Sequence, residues 1–257
     1  MDALQGIGLN KAAEALLPMA ASAVKWLYER TWADLHFQRR AEWHYIRKWL
    51  APRKGEHILD LACGGGFYSR KVAKVGCKVA AIDLSSSVIA LAKKYNSHPN
   101  ITYLAANGEK LPFPNSSFDK AFSVSSIEHF NNDMKAFKEL NRVLRKGGAL
   151  VISVDSFDHP DVNDKVRKAH AKQHHVAHFY TKEELRTRLM KAGFRVVESR
   201  YILNSKVSSA VMKLWIQMNF TRAFLLGFPV LYPLSRVSDM LSDKDKGYVL
   251  VVKAVKK

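Results

Sequence analysis

Cysteine is almost absent from this chain of 257 residues: only Cys63 and Cys77 occur, and neither sits in a metal-ligand spacing. A disulfide framework is therefore excluded, and both are expected as free thiols in a reducing, cytoplasmic compartment. Long apolar runs are missing too. The longest late uncharged run, Ala223 to Ser235, is shorter than the roughly 20 residues a bilayer-spanning helix needs, and it contains Pro229 and Pro233. No secretory leader is expected, because Asp2 precedes the first basic residue, Lys11, and the apolar stretch Ala15 to Val24 lacks a basic region ahead of it. Acidic residues are scarce: 23 Asp and Glu face 41 Lys and Arg, a net charge of +18. From residue 161 onward the balance is 19 Lys and Arg to 8 Asp and Glu. Such an excess says nothing about fold, but it favours an anionic partner such as a lipid surface, nucleic acid or an acidic small substrate.

What is present centres on His57-Ile-Leu-Asp-Leu-Ala-Cys-Gly-Gly-Gly-Phe-Tyr-Ser69. Ile58, Leu59 and Leu61 make the short apolar run of a buried strand, and the three glycines let the backbone turn sharply and approach a ligand closely. A helix starting near Phe67 would aim its free N–H groups into the same space. A second apolar run, Val79-Ala-Ala-Ile-Asp83, ends in a carboxylate about 20 residues past the glycines, where an acidic side chain grips a ribose diol. The third glycine of a G-x-G-x-x-G dinucleotide fingerprint is missing, since Ser69 stands in its place.

Further along, strands and helices alternate. Lys78 to Leu84, Asn100 to Ala105, Phe118 to Ser123 and Gly148 to Val154 read as strands, separated by helices over Ser69 to Lys74, Ser85 to Tyr95 and Asn132 to Leu144. That pattern predicts a doubly wound, mostly parallel α/β sheet, with ligands beyond the strands' carboxyl ends, where Gly64, Asp83, Asn107 and Ser125 emerge. Ahead of the first strand, Trp32, Leu35, Trp43, Ile46 and Leu50 recur at helical spacing, interleaved with Arg39, Arg40, Arg47 and Lys48. This amphipathic segment is expected on the sheet edge, as a lid over the ligand, or at a membrane.

Asp60-Leu-Ala-Cys-Gly64-Gly-Gly66 resembles motif I of the class I S-adenosylmethionine-dependent methyltransferases, with Ala62 where many members have glycine. Gly108-Glu-Lys-Leu-Pro-Phe113 is similar to a segment of the ubiquinone/menaquinone C-methyltransferase-like enzymes, with Asn107 replacing the Asp expected to meet the adenine amino group. Asn141 to Gly148, Tyr180 to Phe194 and Tyr248 to Lys253 resemble later family segments in the same order. The resemblance implies a Rossmann-like sheet of seven strands with an antiparallel last strand. It also implies S-adenosyl-L-methionine as cofactor, contacted by Asp60, Ala62, Cys63, Gly64, Gly66, Asp83, Leu84, Asn107, Gly108 and Ser123. One domain over 1–257 is expected, with N-terminal helices in 1–55, the cofactor-binding core in 56–203, a helical insertion in 204–246 and the last strand in 247–257.

Methyl transfer from a sulfonium needs alignment and desolvation, and a base only where the acceptor must lose a proton. In the family's arrangement Glu128 and His129 face the site. His129 is the first candidate base, because imidazole titrates nearest neutrality; His178 and Tyr180 follow. His170, His174, His175 and His178 cluster in sequence without Cys or a repeating carboxylate, so the stretch reads as a polar flap and no metal is expected. Val207, Val211, Leu214, Met218 and Leu225 form an apolar stripe, with Trp215, Phe220, Phe224 and Phe228 added, for core packing, a lid or a membrane contact. The expected acceptor is small and apolar, of lipid, quinone or isoprenoid type, with the protein held peripherally on the inner membrane face. An RNA methyltransferase, or a cofactor-binding protein without catalysis, is the alternative. The Asp/Asn-Pro-Pro-Tyr/Phe signature of base or glutamine amino-group methylation is absent, Ser123-Val-Ser-Ser126 standing there instead.

Overall fold

The computed structural model describes residues 34, 36–217, 228–242 and 245–257. A seven-stranded sheet organises them, in the order β3-β2-β1-β4-β5-β7-β6. Its strands are β1 His57–Leu61, β2 Lys78–Asp83, β3 Ile101–Ala105, β4 Phe118–Val124, β5 Leu144–Asp155, β6 Phe194–Ile202 and β7 Val249–Lys256. Pairing from β3 through to β5 is parallel, while β7 runs antiparallel to both neighbours. The fold is the doubly wound sheet with an antiparallel last strand that the alternation and the resemblance imply. The helices are α1 Phe37–Leu50, α2 Phe67–Ala73, α3 Ser86–Asn96, α4 Asp133–Val143, α5 Asp164–His174, α6 Lys182–Lys191, α7 Lys206–Gln217 and α8 Phe228–Leu241.

Alternation along the strands divides the core between the two faces of the sheet, because successive side chains point oppositely. Ile58 of β1 and Val249 and Val251 of β7 join Phe37, Ile46, Phe122 and Phe157 on one face. Leu59, Leu61, Leu150, Ile152, Leu250 and Val252 meet Phe137, Leu140, Leu185 and Phe194 on the other. Both faces are covered, so the strands read as near-continuous apolar runs. Polar residues fix the helix starts: Ser85 Oγ accepts from Val88 N at 3.3 Å, and Asn132, Asn163 and Thr181 cap α4, α5 and α6 in the same way.

Three expectations need correction. α1 lies across the middle of the sheet, on β4, β5 and β7, and not at its edge, because it buries Phe37, Ala41, Ile46 and Leu50 together with the polar Gln38 and Glu42. The histidine-rich stretch is not a flap; it contains α5, anchored by the buried His170. The stripe read in α7 does not face inward as a unit: Val211 is buried, but Val207 and Leu214 are exposed, and Ser208 and Ser209 take their places inside through hydrogen bonds to Asp239, Asp161 and Tyr248. Met218, Phe220, Phe224 and Leu225 lie outside the described residues. No helix among the described residues is long and apolar enough to cross a membrane.

Candidate functional site

At the end of β1 the chain turns through Ala62, whose φ of 58° lies in the left-handed region that disfavours a Cβ. The glycine that the resemblance implies at this position in many members would adopt this conformation without that cost. Gly66, with φ 77°, caps α2, and a Cβ there would collide with the Tyr103 hydroxyl. Gly64 and Gly65 are different: a Cβ on either would meet nothing within 4 Å, so the backbone is laid bare to open space. Gly64 N donates to Asp83 Oδ2 at 3.0 Å and Ser85 N to Asp83 Oδ1 at 3.1 Å, so the turn is tied to the end of β2.

A cavity of about 480 Å³ opens here, beyond the carboxyl ends of the parallel strands, a size typical of small-molecule sites. Of the residues singled out in the sequence, Asp60, Ala62, Cys63, Gly64, Asp83, Leu84, Asn107, Gly108 and His129 line it. Gly66, Ser123 and Glu128 do not. Ser123 is buried and donates to Leu61 O at 2.8 Å, stitching β4 to β1. Glu128 turns inward from the 3-10 turn Ile127–His129, fully buried, where its Oε1 accepts from Asp155 N at 3.2 Å and its Oε2 has no partner. Burial, and then the neighbouring Asp155 carboxylate, lifts Glu128 well above the usual carboxylate range. Tyr180 is buried against Asp133, its hydroxyl donating to Oδ2 at 2.7 Å, and His178 pairs with Glu184 at 2.7 Å; neither lines the cavity.

Asp60 is 2% exposed, and its Oδ2 accepts from Ser69 Oγ at 2.5 Å. Burial first, and the Asp83 charge after it, push its carboxyl up to about 7 against the opposing Ser69 hydrogen bond. His129 is exposed, and its Nδ1 lies 3.2 Å from His175 O. A carbonyl only accepts, so Nδ1 carries the proton and the neutral ring keeps its Nε2 lone pair. Asn107 Oδ1 accepts from Glu109 N at 2.8 Å, which shapes the turn after β3. Cys63 is buried, and desolvation raises its thiol far above its ordinary value, which keeps it protonated. Among the described residues no three His, Cys, Asp or Glu are placed to hold a metal.

The structure adds a wall that motif reading missed. Arg39 and Tyr68 line the cavity, with Val124, Ser126 and Phe130 at and just beyond the end of β4, where the expected Ser125 lines it too. Arg39 is not part of α1's exposed basic face. Its Nη1 donates to Glu42 Oε2 at 3.1 Å, and Tyr68, stacked on Trp43 at 4.7 Å, donates from its hydroxyl to Arg39 O at 3.2 Å. Behind Arg39, Glu42 Oε1 also accepts from Gln38 at 2.8 Å and Ser125 Oγ at 2.7 Å, and Gln38 reaches Asp155, which holds His170 Nε2 at 2.8 Å. The sequence hints were the reading of this amphipathic segment as a lid over the ligand and Glu42 one helical turn after Arg39.

Residues 59–152 match the family model described as "Methyltransferase domain". An O-methyltransferase of Aspergillus nomiae is 30% identical over 166 residues, covering 63% of this chain and 74% of that protein. The chain belongs to the class I S-adenosylmethionine-dependent methyltransferases. A demethylmenaquinone methyltransferase of Tropheryma whipplei is 36% identical over 135 residues, 52% of this methyltransferase and 55% of the relative, so the match spans about half the relative's length. The crystal structure of an S-adenosylmethionine-dependent methyltransferase from Mesorhizobium loti superposes with a TM-score of 0.63 at 24% identity, covering 84% of this chain and 98% of that one, and so shares its fold.

The cofactor of this methyltransferase is S-adenosylmethionine, and the residues present fit it. The bare backbone of Gly64 and Gly65 offers close approach, and Asp60 is a buried carboxylate short of a cation. Asp83 stands at the cavity wall beside Leu84, whose side chain is 76% exposed next to a polar turn.

Proposed function

We propose that this methyltransferase methylates a small, largely apolar acceptor of quinone, lipid or isoprenoid type, delivered from a membrane surface, and that it works as one domain over 1–257. The observation that carries the reading is the lining between Arg39 and Phe130, where Phe67, Tyr68, Val124 and Phe130 supply apolar surface beside the polar Arg39, Ser125, Ser126, His129 and Asn131. The name of the Tropheryma whipplei relative, a demethylmenaquinone methyltransferase, supports a quinone-like acceptor, and the net charge of +18 supports an anionic surface.

Bound in the cavity, S-adenosylmethionine supplies an electrophilic methyl group on a sulfonium. Asp60 would face its methionine amino group beneath the glycine turn, Asp83 its ribose hydroxyls, and Leu84, Asn107 and Gly108 its adenine. Arg39, held by Glu42, offers a fixed positive charge to an acceptor oxygen as that oxygen loses its proton. His129 Nε2 is the free lone pair to take that proton, and the apolar wall excludes water from the transfer.

A cell extract separated into lipid, small-molecule and RNA fractions and incubated with methyl-labelled cofactor tests this. Label is expected in the lipid or apolar small-molecule fraction, and the Asp83→Ala variant should label none. Label confined to RNA would replace the reading with nucleic-acid methylation.

A further inference from the structure

α8 carries its charges inward and its hydrocarbon outward. Its charged residues are Arg236 and Asp239. Asp239 is buried, accepting from the backbone N–H groups of Leu203, Asn204 and Ser205 and from Ser208 Oγ. Arg236 turns to α1, its guanidinium 5.1 Å from the centre of the Tyr45 ring. What faces solvent is Val230, Leu234, Val237 and Leu241, at exposures of 63%, 55%, 57% and 84%, with Met240 beside them. Steps of four, three and four residues make one continuous stripe along a helix, the side that a soluble surface helix normally gives to charge.

Next to this stripe, α1 exposes Arg40, His44, Arg47 and Lys48 along one face. Tyr45, between them, carries a second guanidinium, that of Arg200 from β6, 5.0 Å from its ring centre. Protonation of His44 is disfavoured by burial and then by Arg236, Lys48 and Arg200, which places these cations in one shared field. Among the described residues no carboxylate forms an ion pair with Arg47, Lys48, Arg200 or Arg236.

We infer that the apolar stripe of α8 and the basic rim formed by α1 and Arg200 are one docking surface for an anionic phospholipid bilayer. The stripe enters the boundary between headgroups and acyl chains, and the cations meet the phosphates. Helices lying on membranes bind through this pairing of buried apolar area with attraction to anionic headgroups. Nucleic acid would use the cations but leave the hydrocarbon in water. A second copy of the chain would bring one basic rim against another across a two-fold contact, a repulsion that a net charge of +18 only deepens.

Packing links this surface to the helix that lines the cavity. Tyr232, near the start of the stripe, packs edge-on against Phe37 at 6.0 Å and lies under Arg40 at 5.1 Å. Phe37 belongs to the turn of α1 that carries Arg39 into the cavity wall. The proposed surface is thus joined, through one turn of α1, to the residue that lines the cavity. The inference deepens the reading of a membrane-borne acceptor and rests on it for its purpose.

Sedimentation of the full chain with phosphatidylcholine vesicles, with and without phosphatidylglycerol, tests it. Binding is expected only with the anionic lipid and should weaken as salt is added. Leu234→Ser combined with Leu241→Ser, and separately Arg47→Glu combined with Lys48→Glu, should each lower the bound fraction about tenfold or more. All four positions are exposed, so folding is spared, and calorimetric binding of S-adenosylmethionine should be unchanged; that second measurement separates a failed surface from a failed methyltransferase site. Absent binding, equal binding to neutral vesicles, or variants that bind like the parent would overturn the inference. So would retention of RNA in place of vesicles, or a dimer that the serine variant dissolves.

Discussion

Asp60 shows how one side chain can set a pH window. Its folded-state value of about 7 lies above the 3.8 of an ordinary Asp carboxyl, so the unliganded native state holds this proton more tightly than the unfolded chain does. The stability from that proton is full below about pH 4 and is lost as pH rises through about 7. Binding a cationic amino group has the opposite demand, since it needs the carboxylate. Calorimetry should therefore show affinity for S-adenosylmethionine falling about tenfold for each pH unit below 7. Asp60→Asn should flatten that slope, and a slope unchanged in the variant would assign the titration elsewhere. His129 carries a different expectation. His129→Ala should lower kcat about a hundredfold, the usual scale for a lost proton acceptor, with cofactor affinity intact; a variant with parental kcat would leave alignment by Arg39 and the apolar wall as the whole mechanism.

Among the elements, α1 depends most on buried polar contacts. Glu42 is fully buried and ties Gln38, Arg39 and Ser125 together, thus fastening the helix to the end of β4. Removing one member of such a group leaves an uncompensated buried charge, at a cost of about 3–5 kcal/mol. Glu42→Ala should lower denaturant stability on that scale, while Glu42→Gln, which still accepts from Ser125, should cost less. This network marks the limit of what the sequence discloses. β1, β2, β4 and β5 were legible as apolar runs, and the glycine turn and Asp83 as a ligand cradle, because those signals are local. Arg39 was not, since its direction depends on which face of α1 is buried, and that face includes Glu42 and Gln38, residues a periodicity count scores as exposed. α7 misled for the same reason: Ser208 and Ser209 go inside on hydrogen bonds supplied by Asp239 and Asp161, far along the chain. Glu128 and His129 are adjacent, yet a single 3-10 turn sends one into the core and the other into the cavity.

At the scale of the whole molecule, the strand order has a consequence for how the chain is made. β7, residues 249–256, lies between β5 and β6, which have no bond to each other. A ribosome delivers residues in sequence, so β5 and β6 both leave it before the strand that joins them. Until residue 249 emerges, the nascent sheet ends at β5 with an open row of N–H and C=O groups, and β6 waits alone with a second. Open edges of this kind are templates for pairing with other chains. The period between translation of β6 and of β7 is therefore when this protein most needs shielding by a chaperone, and a ribosome stalled within residues 203–248 would release its most aggregation-prone fragment.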